Sequence, residues 1–283
     1  MKKWFLRIGS TLLVLVLAVG GYAYYQMRSR GFWKIPDFET EAPTIPELKH
    51  PAVLVFSKTN SFIHKEAIPA AETMFSRMAE KNHWSIYITR NGAVHNRKDL
   101  ARFDVIVWNN VTGNVLTAEQ RQAMKDYIEG GGAWLGLHAS GDSSRDWPWY
   151  TNTLIGSTFI GHPFNPQFQQ ADVVVEKPVD PIMSHLSSPW KRTDEWYSFA
   201  DSPRKHGATV LATVDEKTYS PVFFNKNIGM GSDHPVVWKR CVGKGRAFYS
   251  AMGHTAESYQ EDANVTMLEH AVKWLIGSEP GPC

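Results

Sequence analysis

The first apolar stretch of the chain has no polar face. No charge interrupts it from Ile8 to Tyr25, while Lys2, Lys3 and Arg7 precede it and Arg28, Arg30 and Lys34 follow. About 18 residues at helical rise give about 27 Å, near the thickness of a hydrocarbon core. The pattern predicts one membrane helix within residues 1–30, either a signal anchor or a signal peptide. Gly21-Tyr22-Ala23 makes a poor cleavage site, and Tyr22, Tyr24 and Tyr25 suit an interfacial belt. Both features favour an uncleaved anchor, with the following domain exported to a periplasmic or other extracytoplasmic space. Residues 31–50 carry Pro36, Pro43 and Pro46 among polar groups and read as an extended Pro-rich linker.

From residue 51 the pattern changes to short apolar runs separated by helical periodicity. Ala52–Phe56 is a continuous apolar run, as expected of a parallel strand covered on both faces, and Trp84–Ile88, Asp104–Trp108 and Ala133–Leu137 are further strand candidates. Ile68, Ala71, Phe75, Met78 and Ala79 recur at helical spacing, and so do Met124, Tyr127 and Ile128 behind a Thr117/Gln120 capping box. Residues 173–175, 210–214, 236–238 and 247–250 are further strands, the last two joined by the turn Gly243-Lys244-Gly245. Leu268, Ala271, Val272 and Leu275 mark a closing helix ended by Gly277. The order predicts an α/β domain over 51–277 with a doubly wound, mostly parallel sheet, and a tail at 278–283.

Ligands of such sheets bind beyond the carboxyl ends of the strands. His64 falls after the first strand, Asn109 and Asn110 after the third, His138 after Ala133–Leu137, and His254 after the last. The topology would bring these groups to one rim. Gly136-Leu137-His138-Ala139-Ser140 has the small residues of a tight strand-to-helix turn, where a histidine offers proton transfer or metal ligation. Asp194-Glu195-Trp196-Tyr197 joins carboxylates to rings that can stack on a sugar. His162-Pro163 and His234-Pro235 serve equally as loop braces or pocket residues, and His185 suits structural contacts.

Composition narrows this picture. Apolar residues make up 43% of the chain, enough for a sizeable core, and a formal charge of +2 offers no footprint for nucleic acid. Eleven histidines and eleven tryptophans suit a pocket for a polar ring compound. No nucleotide or flavin motif is present, and no helical histidine pair makes a self-contained zinc motif. A divalent metal assembled from distant histidines stays open. Cys241 and Cys283 are either one disulfide or two unrelated thiols.

Several motifs, in this order, resemble the trehalose-utilisation (ThuA-like) family: Ser61-Phe62-Ile63-His64, Gly130-Gly131-Gly132 leading to Gly136-Leu137-His138-Ala139, Gly161-His162-Pro163 and Asp194-Glu195-Trp196-Tyr197. His234-Pro235-Val236-Val237-Trp238, Gly243-Lys244-Gly245-Arg246 and Gly253-His254-Thr255 complete the set. The resemblance implies a class I glutamine-amidotransferase-like (flavodoxin-like) fold in which His138 takes the place of the cysteine and His254 lies near that of the histidine. Loss of the thiol argues against glutaminase activity. The family association with 3-keto glycosides implies elimination or hydrolysis of a small carbohydrate, with His138, His254 and Glu195 as catalytic groups. His64, Asn110, His162, Trp196, Tyr197, His234 and Trp238 are then substrate-binding candidates, and His64, His138 and His254 candidate metal ligands. A non-catalytic carbohydrate-binding module and a scaffold on a retired fold are the alternatives.

Overall fold

The computed structural model describes residues 2–279 and 281. Helix α1 (Lys2–Ser29) includes an apolar window, Arg7–Ser29, long enough to span a membrane or to be a signal sequence, and none of that window is buried. The domain follows as β1 (Ala52–Phe56), α2 (Ala67–Asn82), β2 (Ser85–Thr89), α3 (Arg97–Leu100), β3 (Val105–Asn109), α4 (Ala118–Glu129) and β4 (Ala133–Leu137). Strands β5 (Phe159–Gly161), β6 (Gln169–Val175), β7 (Trp190–Asp194), β8 (Ser198–Phe199), β9 (Thr209–Val214), β10 (Val222–Phe223) and β11 (Lys226–Asn227) come next. Then β12 (Pro235–Val242) and β13 (Gly245–Ser250) lead to α5 (Asp262–Leu275).

Nine strands form one sheet in the order β2-β1-β3-β4-β13-β12-β9-β6-β7. The first five pair in parallel, and every pairing from β13 onward is antiparallel. The expected mostly parallel sheet is therefore corrected to a mixed one. Its second half is built from strands joined without crossover helices, which antiparallel pairing permits. The Gly243–Gly245 turn does close a hairpin, with Val242 opposite Gly245.

Helices cover the parallel half. α2 and α5 lie side by side, where Lys81 and Asn82 bond Glu269 at 2.8 and 3.2 Å. Arg246 of β13 donates to the Trp274 carbonyl of α5 at 2.6 Å, which fixes the face that α5 covers. Side chains alternate across a strand, so Trp108, Trp134 and Tyr249 point to the opposite face. There Tyr150 stacks on Trp108 with ring centroids 5.0 Å apart. Thr117 and Gln120 close the capping box of α4 in both directions.

After a turn at residues 31–33, the segment to residue 50 is extended, as its prolines imply, yet it runs along the domain and does not stand off it. Asn60 donates to the Asp37 carbonyl at 2.8 Å, Gln120 to the Glu39 carbonyl at 2.7 Å and Arg102 to the Ile45 carbonyl at 3.3 Å. Ile45 enters the core, and His50 bonds Asp104 at the foot of β3. This strap joins the carboxyl edge of the sheet, near residue 31, to its amino edge, near residue 50. The expected Cys241–Cys283 alternative falls on Cys283, which lies outside the described residues.

Candidate active site

β4 ends in the elbow that its small residues predict. His138 has φ 40°, a left-handed conformation that costs energy for a residue with a Cβ and persists only when its surroundings fix it. Here Tyr249 donates to the His138 carbonyl at 2.7 Å, and Tyr150 to the Ser140 carbonyl at 2.6 Å. Gly141 has no room for a side chain, because a Cβ would lie 2.1 Å from the Tyr249 hydroxyl oxygen. The His138 ring is fully buried under Tyr197, their centroids 4.2 Å apart.

Asp194, at the end of β7, builds the opposite wall. It is buried and accepts from the Glu195, His254 and Gly253 amides at 2.9, 3.2 and 2.9 Å. Arg192 at 2.9 Å balances its charge, and the Ser258 hydroxyl donates to it at 3.0 Å. Asp194 therefore ties the Glu195 turn to the His254 loop.

Between these walls four side chains meet. His138 Nε2 lies 3.1 Å from His254 Nδ1 and 3.2 Å from Glu195 Oε2, and His254 Nδ1 lies 2.9 Å from the same oxygen. His64 packs edge-on against both rings, with centroids 5.1 Å from His138 and 4.5 Å from His254. One nitrogen or oxygen from each of His64, His138, Glu195 and His254 falls within 4.8 Å of all the others. Burial, followed by the neighbouring His138 and His254, holds His64 well below the usual histidine range. Burial pushes Glu195 up, but hydrogen bonds and charge from His138 and His254 prevail and hold it well below the usual carboxylate range.

The cluster sits against a cavity of about 1050 Å³, lined by His64, His162, Glu195, Tyr197 and His254 among others. His162 Nδ1 lies 3.1 Å from Glu195 Oε1 and 2.9 Å from the Pro163 carbonyl. Gln167 also bonds Glu195 Oε1. Asp142 and Arg145 pair on the same wall. Burial raises the Asp142 carboxyl above its ordinary range, opposed by Arg145. Tyr197 is raised further, by burial and then by Glu195, so its phenol stays protonated.

Not every expected residue reaches this cavity. Asn110, also left-handed at φ 51°, donates to Tyr259 at 2.8 Å, and Tyr259 donates to the Gly253 carbonyl at 2.9 Å. It braces the His254 loop from behind. Trp196 turns away to donate to the Gln169 carbonyl at 2.9 Å, because its neighbours Glu195 and Tyr197 take the cavity side. His234 is buried between the Tyr197 carbonyl at 2.8 Å and Glu216 at 2.6 Å. Trp238 lies in the core of β12, donating to the Ile155 carbonyl at 2.9 Å. His185 bonds the Ala263 carbonyl at 2.9 Å, a structural contact. Sequence reading passed over Asp142, Arg145 and Gln167. Asp142, four residues beyond His138 in the same turn, was the one with a positional signal.

An α/β domain with a large mixed sheet and a histidine–glutamate cluster at its carboxyl edge is the class that fold and site define. The chain belongs to the trehalose-utilisation (ThuA) family, whose model matches residues 52–275. A putative ThuA-like protein from Bacteroides uniformis ATCC 8492 is similar over 83% of this chain and 95% of its own, at 23% identity and a TM-score of 0.69. Another from Parabacteroides merdae ATCC 43184 covers 83% and 93% at 16% identity and a TM-score of 0.61. Identities this low establish the fold alone. No curated protein matches the chain.

Proposed function

We propose that this chain is an enzyme of carbohydrate metabolism in which His64, His138, Glu195 and His254 hold one divalent cation beside a cavity for a 3-keto glycoside or related sugar. The observation that carries this reading is the convergence of three imidazoles and one carboxylate within 4.8 Å. His138 Nδ1 donates to the Ala251 carbonyl at 2.7 Å, which leaves Nε2 as the lone-pair nitrogen. That lone pair faces His254 Nδ1 and a carboxylate oxygen, an unfavourable arrangement unless a proton or a cation lies among them. His64 Nδ1 is buried without a hydrogen-bond partner. Such a donor set suits a divalent first-row transition ion. When bound, the ion would polarise a substrate oxygen and stabilise negative charge on it.

Proton transfer then falls to groups around the cavity. His162 presents Nδ1 to Glu195 and the Pro163 carbonyl, so Nε2 is its basic nitrogen. A ketone at C3 of a sugar acidifies the C2 proton, and His162 is the base to take it. The C2–H electron pair becomes a C1–C2 double bond, the C1–O bond breaks, and the departing oxygen takes a proton from Asp142. Burial favours the protonated form of that carboxyl. Glutaminase chemistry lacks its nucleophile: among the described residues no cysteine lines the cavity.

The test is to offer the full chain in detergent 3-keto glycosides and their unoxidised parents, with and without chelator. The reading expects the keto compounds alone to be consumed, and chelator to stop the reaction. Binding of either sugar without turnover in any arm would replace the enzyme with a carbohydrate-binding module.

A further inference from the structure

The spanning-length helix does not leave the domain at a random point. α1 ends at Ser29, and within a few residues Arg30, Phe32 and Pro36 are lining the cavity itself. Three contacts pin this junction to the rim. The Ile63 amide donates to the Arg30 carbonyl at 2.8 Å, Lys34 donates to the Thr59 carbonyl at 2.7 Å, and the Phe32 and Phe62 rings meet edge-on at 5.7 Å. Gly31, at φ 87°, is pressed so closely on this loop that a Cβ would lie 2.0 Å from the Ser61 carbonyl oxygen. The strap then carries the chain away to the far edge of the sheet. The helix therefore emerges at the mouth of the candidate site and not at the opposite pole.

The same mouth carries exposed aromatic residues. Phe164 and Phe168 line it, 49% and 41% exposed. Phe164 stacks on Phe224 at 5.0 Å, and Phe224, at the tip of the β10–β11 hairpin, is 68% exposed. Phe224 also has φ 53°, a conformation unfavourable for a bulky side chain, so the hairpin presents an aromatic ring to the outside against local preference. On the helix side Trp33 is 61% exposed and stacks on Tyr24 of α1 at 5.8 Å. Aromatic residues of this kind sit at membrane interfaces, where lipid headgroups meet hydrocarbon. Arg28 in the last turn of α1 is followed by Arg30 and Lys34, which lie 3.8 Å from Glu66 and 3.1 Å from Asp37, and basic groups beside a spanning helix attract anionic headgroups.

We infer that the mouth of the cavity is a membrane-docking surface: the Phe224 hairpin and the loop carrying Phe164 rest on the lipid interface from which α1 emerges. One continuous face then joins the anchor, the aromatic patch and the opening of the site. The inference concerns this face alone and holds whatever reaction the cavity performs.

The experiment places a photoreactive benzophenone amino acid at position Phe224, or separately at Phe164, in the full chain reconstituted into vesicles of phosphatidylcholine and phosphatidylglycerol. Val179, 90% exposed beyond the other end of β6, is the control position. Docking predicts lipid adducts at Phe224 and Phe164 at least about tenfold above those at Val179. Adduct yields equal at all three positions overturn the inference. So do cross-links from Phe224 to a second copy of the chain in place of lipid. Neither result bears on turnover, so failure here leaves the proposed reaction standing.

Discussion

The two halves of the sheet are built on different physical terms. In the parallel half β1, β3 and β4 are buried at every one of their five positions, since helices or aromatic loops cover both faces. In the antiparallel half β7 alternates strictly between buried and exposed, and Trp190, Arg192 and Asp194 face inward while Lys191 and Thr193 face out. The parallel half supplies the His64 loop and the His138 elbow on a rigid, fully covered frame. The antiparallel half supplies Asp194, Glu195 and the cavity wall that carries Tyr197. Neither half holds the site alone: the His138–Glu195 contact at 3.2 Å crosses from one to the other. His254, at the seam, is fixed by its amide on Asp194.

This comparison can be broken at several points. The largest effect is expected where the halves meet. His254→Ala removes a cavity-lining member of the cluster without opening a sealed core, since that side chain is partly exposed. Because the variant loses a ligand of the proposed cation, turnover of a 3-keto glycoside should fall by at least about 10- to 100-fold with the melting temperature little changed. Retained turnover would show that the seam is structural only.

Gly245→Ala probes the frame of the parallel half. Its Cβ would lie 2.0 Å from the Ile128 carbonyl oxygen and 2.3 Å from that of Gly132, both backbone atoms that cannot swing aside. Destabilisation of about 3 kcal/mol is expected from urea unfolding. A value near zero would mean that the α4–β13 contact is looser than described.

A pH series tests the same half. His95 is buried between the Gly92 carbonyl at 3.1 Å and the Trp108 indole at 3.2 Å, and burial pulls it down to about 4. Between the ordinary histidine range and that value the unfolded chain binds a proton that the native chain excludes. Stability from this residue is therefore full above about pH 6.5 and falls as pH drops toward 4, by about 3 kcal/mol in all. His95→Gln should flatten this part of the slope, and an unchanged slope would place the titration elsewhere. The smallest effect is expected on the open face of β7. Lys191→Ala, which breaks an exposed pair with Asp172 at 2.6 Å, should cost less than about 1 kcal/mol.

The contrast between the halves also explains what the sequence made legible. Ala52–Phe56 and Ala133–Leu137 are unbroken apolar runs, so their strands and the strand-end histidines could be read directly. Trp190-Lys191-Arg192-Thr193-Asp194 hides a strand behind three charges, because one face is solvated and the inward arginine and aspartate satisfy each other. The other strands of that half, β6, β9 and β12, show in the sequence as apolar runs, but such a run does not give a strand's direction, and their antiparallel pairing was therefore not legible. The hidden strand β7 also concealed Asp194 as the residue that positions Glu195 and His254. Alternation decided the errors beside the site: Tyr197 and Glu195 reach the cavity while Trp196, between them, cannot. His234 and Trp238 lie just before and within β12, where bonds to backbone carbonyls, and for His234 to Glu216, account for them. Asn110 was placed correctly at a strand end, but its left-handed backbone turns the amide toward Tyr259.

The central claim is that side chains from both halves hold one divalent cation. Metal content, measured by mass spectrometry on chelator-stripped full chain reloaded with zinc or manganese and then dialysed, tests it most directly. The account predicts about one ion retained per chain, lost together in Glu195→Gln, from the antiparallel half, and in His64→Ala, from the parallel half. No retained ion, or retention unchanged in both variants, would contradict it.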